Sequence, residues 1–422
     1  METLRRAVVT GLGFIASIGN NRAEVEESLR SQKRGIEIHP ELATADSPYK
    51  LAGTLKGFDL SADNREKWKF PAGLTIPRTV LRGLPPHGVF AYAAMQEAIA
   101  DADLAPTDVS NPRTGLMCAS AGSTRLLYKN VHKMLHEGIH RCHPNAVSMS
   151  IAGTLNFNLV AAFKIQGAAT GFVDACSSSA IALGHALDFI RAGRQDKVFV
   201  VGAEDGDLFS ILPFGCCRAL TSGTDPSQYP CAFDRKRDGF AGTGGAAVLV
   251  LEEREAALKR GAKIYAEPLG WGQSSDGFDV MAPDPSGAGL ERAMRDALAD
   301  SGLDAAEVDY VNAHATATPS GDPAECIALR NVFGNNNGPL VSSSKSQTGH
   351  ALSMAGALEA AICCLAIKQE FTPVSMNITE LDPSCEGLRI VTEPITHAPR
   401  TVLSNSSAFG GANASLIFRR VD

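Results

Sequence analysis

The chain has 422 residues, 44% of them hydrophobic and 20% charged, with 39 basic against 46 acidic side chains for a net charge of −7. Such a composition closes a large core and excludes disorder or coiled coil as the main state, and the acidic balance excludes a protein that coats nucleic acid or adheres to anionic membrane. Length predicts two or three domains, or one large duplicated α/β unit.

In chain order, residues 6–12 read as a strand ending in a glycine turn, with no signal-peptide core before them. Segment 61–88 carries Pro71, Pro77, Pro85 and Pro86 and reads as an irregular surface excursion. A helix is expected at 89–101. His132, His136 and His140 recur at i, i+4 spacing, so on one helix they would share a face. Gly138 weakens that helix. Residues 172–190 run from a strand into a helix of small residues, and 196–204 and 246–252 read as buried strands. A short helix at 255–261 marks the best boundary, dividing the chain into 1–255 and 256–422. Helices at 288–302 and 323–333 flank a strand at 308–313. Segment 340–366 then repeats the strand-to-small-helix pattern of 172–190, a faint internal echo. The alternation predicts an α/β protein with a mixed or mostly parallel sheet. No apolar run approaches the roughly 18 residues of a spanning helix, so no membrane insertion is expected. The ten cysteines show no framework spacing, which fits reduced thiols in a cytoplasm.

Four places carry chemistry. Cys176 follows a strand and precedes Ser177-Ser178-Ser179 at the start of a helix. Backbone N–H groups and the helix dipole there lower a thiol pKa and favour a nucleophilic thiolate, and the serines are expected to satisfy first-turn donors. A buried structural cysteine reads equally well. His314 lies just past a strand end, beside the alternating hydroxyls of Thr316 and Thr318 that could line a channel, and His350 stands at the mouth of a later helix. Each histidine alone reads as well as a structural one. Phe409-Gly410-Gly411 is either a tight turn between two strands or a loop whose backbone N–H forms an oxyanion hole.

Taken together, Asp174-Ala-Cys176-Ser, His314-Ala-Thr316-Ala-Thr318-Pro, Lys345-x-x-Thr-Gly-His350 and Asn405-x-x-x-Phe409-Gly-Gly-x-Asn413 resemble the condensing β-ketoacyl-[acyl-carrier-protein] synthases over nearly the whole chain, and the elongating group I branch most. The resemblance implies a thiolase-like fold, duplicated as five αβαβα layers, in an obligate homodimer. It implies that Cys176 takes an acyl chain from an acyl carrier protein, and that His314 and His350 bind the malonyl thioester and stabilise the enolate left by decarboxylation. It assigns an oxyanion hole to the backbone of Cys176 and Phe409, an ordering ion pair to Lys345 and Glu359, contacts to the phosphopantetheine arm to Thr316 and Thr318, and carrier docking to Arg78 and Arg82. No metal or dissociable cofactor is implied, because the thioester supplies the activation. Ser407 and Ala408 depart from the family's usual Phe-Gly before the Gly410-Gly411 loop that gates the acyl pocket, and Gly122 stands where a bulkier residue would shorten that pocket. These departures suggest a specialised lipid such as a polyene beside ordinary fatty-acid elongation. Competing readings are a thiolase, which would need a second cysteine near the C-terminal glycine loop; one subunit of a ketosynthase/chain-length-factor pair; and a non-enzymatic zinc- or carrier-binding module built on residues 132–143.

Overall fold

Strands buried on both faces need no hydrophobic alternation, and runs such as Val198-Phe199-Val200-Val201 and Val248-Leu249-Val250-Leu251 are fully buried. The computed structural model describes residues 4–44, 46–62 and 64–422. Its strands are β1 (Ala7–Ile15), β2 (Ile36–Ile38), β3 (Leu51–Gly53), β4 (Thr114–Ala119), β5 (Ala169–Phe172), β6 (Lys197–Glu204), β7 (Gly242–Thr243), β8 (Gly245–Glu253), β9 (Glu267–Ser275), β10 (Tyr310–Asn312), β11 (Leu340–Ser342), β12 (Arg389–Ile390), β13 (Thr401–Ser407) and β14 (Ala412–Arg419). One sheet has the order β1-β8-β6-β4-β5, and the other, written from its far edge, β9-β14-β13-β10-β11-β12. In both, neighbours among the first three strands pair antiparallel and the remainder join in parallel. The two halves therefore repeat one topology, with β12 added to the second and a small sheet β2-β3-β7 beside the first. The faint echo between 172–190 and 340–366 marks equivalent strand-to-helix turns of this repeat.

Helices Pro86–Asp101 and Leu155–Phe163 cover the outer face of the first sheet, and Ala288–Ser301 and Gly321–Phe333 the outer face of the second. Ser178–Arg191 and Ala355–Gln369 lie between the sheets and contact both, giving five αβαβα layers. A helix enclosed on all sides has to be apolar all round, and residues 355–367 are buried without exception. Contrary to the expectation of no such run, Leu352–Gln369 is long and apolar enough to cross a membrane, yet 89% of it is buried inside the protein. The two central helices approach closely because Gly356 lacks a side chain: a Cβ there would stand 2.5 Å from the Ala180 nitrogen.

The remaining expected elements appear within a few residues of their predicted bounds. Segment 61–88 is more than a surface excursion, since Trp68, Phe70 and Ile76 pack against Leu84, Val89 and Tyr92 as a satellite core. The histidine helix is Thr124–Glu137, and Gly138, at φ 94°, ends it. His132 and His136 lie against each other with ring centroids 4.3 Å apart and planes tilted by 42°, but His140 falls in the separate turn Ile139–Arg141, so the three-histidine face is not formed.

Candidate active site

Both central helices begin beyond the C-terminal ends of parallel strands, where α/β folds gather reactive groups. After β5 the chain turns sharply, with Ala175 at φ 44°, and delivers Cys176 immediately before helix Ser178–Arg191. The serines do not cap the first turn as expected. Ser177 Oγ donates to the Asp174 carbonyl, Ser178 Oγ to the Ala175 carbonyl, and Ser179 Oγ accepts the Ala357 N–H of the other central helix. They brace the nucleophile's turn and lock the two helices together. The equivalent turn after β11 carries the short helix Lys345–Thr348 and then His350, while His314 follows β10.

These segments, far apart in the chain, converge. His350 Nε2 lies 3.0 Å from Cys176 Sγ, and the His314 and His350 rings meet edge to face, centroids 5.3 Å apart. Reactive atoms of Cys176, His314 and His350 all lie within 4.8 Å of one another. Among the described residues no other trio of histidine, cysteine or acidic side chains is so close. An ion held there would tie up the thiol.

Burial, and after it the charge of Lys345, holds both imidazoles well below the ordinary histidine range. Each is therefore neutral at pH 7 and offers one N–H donor. Burial pushes the Cys176 thiol up to about 12, against the pull of Lys345. This reverses the expectation of a lowered thiol pKa: the resting group is a thiol beside a neutral imidazole, because desolvation of the anion outweighs the nearby positive charge. Lys345 and Glu359 form the anticipated buried ion pair, and burial raises the Glu359 carboxyl to about 7.

A cleft of about 250 Å³ opens onto the triad. Phe214, Phe240 and Phe409 supply aromatic walls, with Phe240 edge-on to His350 at 4.9 Å and Phe214 5.8 Å from Phe409. Thr316 and Thr318 also line it, their hydroxyls 3.2 Å apart. Ser407 and Ala408 lie in its wall, and the loop is laced by Ser407 Oγ donating to Asn413 Oδ1 and Asn413 Nδ2 to Asp276. Gly410, at φ 81°, donates its N–H to the Val280 carbonyl, and Gly411, at φ 73°, to that of Ala408. Gly122 is not among the cleft walls. It is required by its own backbone: at φ 80° a Cβ would meet the Ser150 carbonyl oxygen at 2.6 Å. Arg78 and Arg82 do not line the cleft; they are exposed on the short turn Arg78–Leu81 and at its C-terminal cap, and Arg78 pairs with Glu66.

Several functional neighbours had no local signal. Glu325 is buried, and its carboxylate accepts the backbone N–H groups of His314 at 2.9 Å and Ala315 at 2.7 Å, clamping the histidine loop. Phe214, Phe240 and the exposed Arg218 belong to the cleft only through long-range packing. Residue type alone does not distinguish them from other core or surface side chains.

This duplicated five-layer fold is the thiolase-like fold found in ketosynthases. Residues 4–257 match the model of the β-ketoacyl synthase N-terminal domain and residues 265–379 that of its C-terminal domain. The chain belongs to the β-ketoacyl synthase family, and is an acyltransferase of that family. It is 41% identical over 429 residues to a 3-oxoacyl-[acyl-carrier-protein] synthase 1 of Haemophilus influenzae, spanning 99% of both chains. It is 39% identical over 423 residues to the synthase 1 of Escherichia coli K12, spanning 99% of this chain and 100% of the relative. Among solved structures, a β-ketoacyl synthase from Burkholderia phymatum STM815 superposes with TM-score 0.90 at 34% identity, over 99% and 100% of the two chains. The ishigamide ketosynthase/chain length factor superposes with TM-score 0.87 at 30% identity over the same shares.

Proposed function

We propose that this chain is a 3-oxoacyl-[acyl-carrier-protein] synthase that lengthens acyl chains by decarboxylative Claisen condensation. The convergence of Cys176, His314 and His350 within 4.8 Å carries the reading. The Cys176 thiol attacks an acyl thioester of the carrier's phosphopantetheine. Its proton passes by way of His350 to the departing carrier thiol, and the acyl group remains on sulfur. Malonyl-carrier then enters along Thr316 and Thr318. Neutral His314 and His350 donate to its thioester oxygen, carbon dioxide leaves, and the enolate attacks the acyl-cysteine carbonyl. The backbone N–H groups of Cys176 and Phe409 hold the oxyanion of each tetrahedral intermediate. Expulsion of the Cys176 sulfur, which is then reprotonated, gives 3-oxoacyl-carrier. Lys345, held by Glu359, adds its positive charge to burial in keeping both histidines neutral. The thioester supplies the activation, so neither metal nor redox cofactor enters the scheme.

The reading extends to assembly and partners. The halves divide at 255/256, one carrying the nucleophile and the other both histidines. The acidic carrier docks on the exposed basic side chains of Arg78 and Arg82. The protein acts as a cytoplasmic homodimer: edge strand β5 is partly exposed and bordered by Val173, Phe157 and Ile151, which continue an exposed apolar face along Thr124–Glu137. A related chain-length subunit in place of the second copy is the alternative that purification distinguishes. Acyl length is set around the Phe214, Phe409 and Ser407 walls, and ordinary or specialised lipids are the product class.

Incubation with acyl-carrier protein should add the mass of one acyl group to Cys176. Labelling of Cys176→Ala to the same extent would refute the nucleophile assignment.

A further inference from the structure

We propose that Cys326 and Cys385 form a dithiol site that a hydroperoxide closes to a disulfide, and that closure slows condensation by displacing Glu325 from the His314 loop. The second half rests on the reading of His314 given above. Among the described residues this is the one pair of thiols in direct contact, with Sγ–Sγ 3.5 Å and both residues buried. Neither sulfur takes part in the condensation scheme.

The contact is held by its surroundings. Cys326 lies on helix Gly321–Phe333, and Cys385 ends the turn Pro383–Cys385. Arg330, one turn along the same helix, donates to the Ser384 and Glu386 carbonyls, so the turn is tied to the helix on both sides of Cys385. Asp382 caps the turn through the Ser384 N–H at 2.8 Å and pairs with Arg237 at 2.5 Å. A disulfide brings sulfurs to about 2.05 Å, so closure needs an approach of about 1.5 Å between elements that already face each other. Cys385 is flanked by exposed Pro383 and Glu386, which leaves a small oxidant a short path to it. The Cys326 S–H donating to it holds Cys385 below the ordinary thiol range, which marks Cys385 as the attacking sulfur.

The chemistry balances with a hydroperoxide as two-electron oxidant. The Cys385 sulfur attacks the terminal oxygen, the O–O bond breaks, and an alcohol, or water from hydrogen peroxide, departs to leave a sulfenic acid. The Cys326 sulfur attacks that sulfur and expels hydroxide, which takes the Cys326 proton as water. Two thiols and one hydroperoxide thus give one disulfide, one alcohol and one water.

Cys326 is the residue after Glu325, whose two carboxylate oxygens hold the His314 and Ala315 N–H groups. A helix turn drawn toward Cys385 carries that clamp with it, and misplacement of a reacting group by about 1 Å costs on the order of 100-fold in rate.

For the test, enzyme is first acylated at Cys176, which masks the nucleophile, and treated with hydrogen peroxide. It is then mapped by non-reducing peptide mass spectrometry and mixed with malonyl-carrier for single-turnover condensation. The expected result is a Cys326–Cys385 cross-linked peptide, condensation slowed at least about 10-fold, recovery on reduction with a phosphine, and no peroxide effect in Cys385→Ser. Absence of the cross-link while exposed Cys216 and Cys217 are oxidised would overturn the site. A cross-link with unchanged condensation, or equal loss in Cys385→Ser, would overturn its action on His314. The peptide map and phosphine reversal require no variant. Failure of untreated enzyme to acylate at Cys176 would instead count against the synthase reading and leave the peptide map interpretable.

Discussion

Replacing His314 and His350 separately by Ala should divide the two half-reactions. His350 Nε2 touches the Cys176 sulfur at 3.0 Å, whereas the His314 ring meets His350 edge-on, and in the proposed scheme His314 serves the incoming extender. Loss of one preorganised donor to a developing oxyanion costs roughly 10²–10³-fold, or about 3–4 kcal/mol. His314→Ala should therefore lose that factor in carbon dioxide release from malonyl-carrier while acyl transfer to Cys176 changes by no more than a few-fold. His350→Ala should lose a comparable factor in carbon dioxide release and slow acylation as well. With the thiol at about 12 and its imidazole neighbour gone, acylation of His350→Ala should rise about tenfold per pH unit between pH 7 and 9, as the thiolate fraction does. Intact-mass acylation kinetics and labelled carbon dioxide release measure the two steps independently. Equal loss of both steps in His314→Ala, or acylation of His350→Ala at the unaltered rate, would refute the division of labour.

Glu325→Gln keeps the size of the clamp but turns an amide toward one of two backbone donors. Loss of a charge-assisted hydrogen bond and weakening of its neighbour should lower stability by about 3 kcal/mol and slow condensation more than acylation, read by thermal unfolding beside the two assays. Glu204 is raised by burial to about 7. A carboxyl whose folded pKa lies above its unfolded one contributes stability that is present below about 4.5 and lost as pH rises through 7. Glu204→Gln, which cannot ionise, should thus have a Tm that improves relative to the parent between pH 5 and 8, and a constant difference across that window would contradict the assignment. Val173→Glu places charge on the apolar border of edge strand β5 and should shift the protein toward monomer in light scattering. Retention of the dimer would move the interface elsewhere.

Much of the architecture was legible because it is written in local periodicity. Strand and helix bounds at 196–204, 246–252 and 288–302 follow from apolar runs and helical spacing, and the two small-residue helices announced themselves through Ala, Gly and Ser next to reactive side chains. The triad was legible one residue at a time, and its family motifs predicted the meeting. The electrostatics were not legible. Position at a helix start predicts a lowered thiol pKa, but depth of burial reverses it for Cys176, and burial is a property of the layers around it. The serines after Cys176 were read as caps by sequence position, whereas the neighbouring helix claims Ser179.

By itself, the sequence determined which side chains can be nucleophile and donors, which runs are strands or helices, and that two halves echo each other, because these depend on residue type and spacing along the chain. Only the tertiary structure decided that Glu325 clamps the His314 loop, that Gly138 strands His140 from its two companions, and that Cys326 faces Cys385 across 59 residues. Those outcomes depend on which surfaces the packing of two sheets and two central helices brings into contact, and no spacing along the chain encodes that.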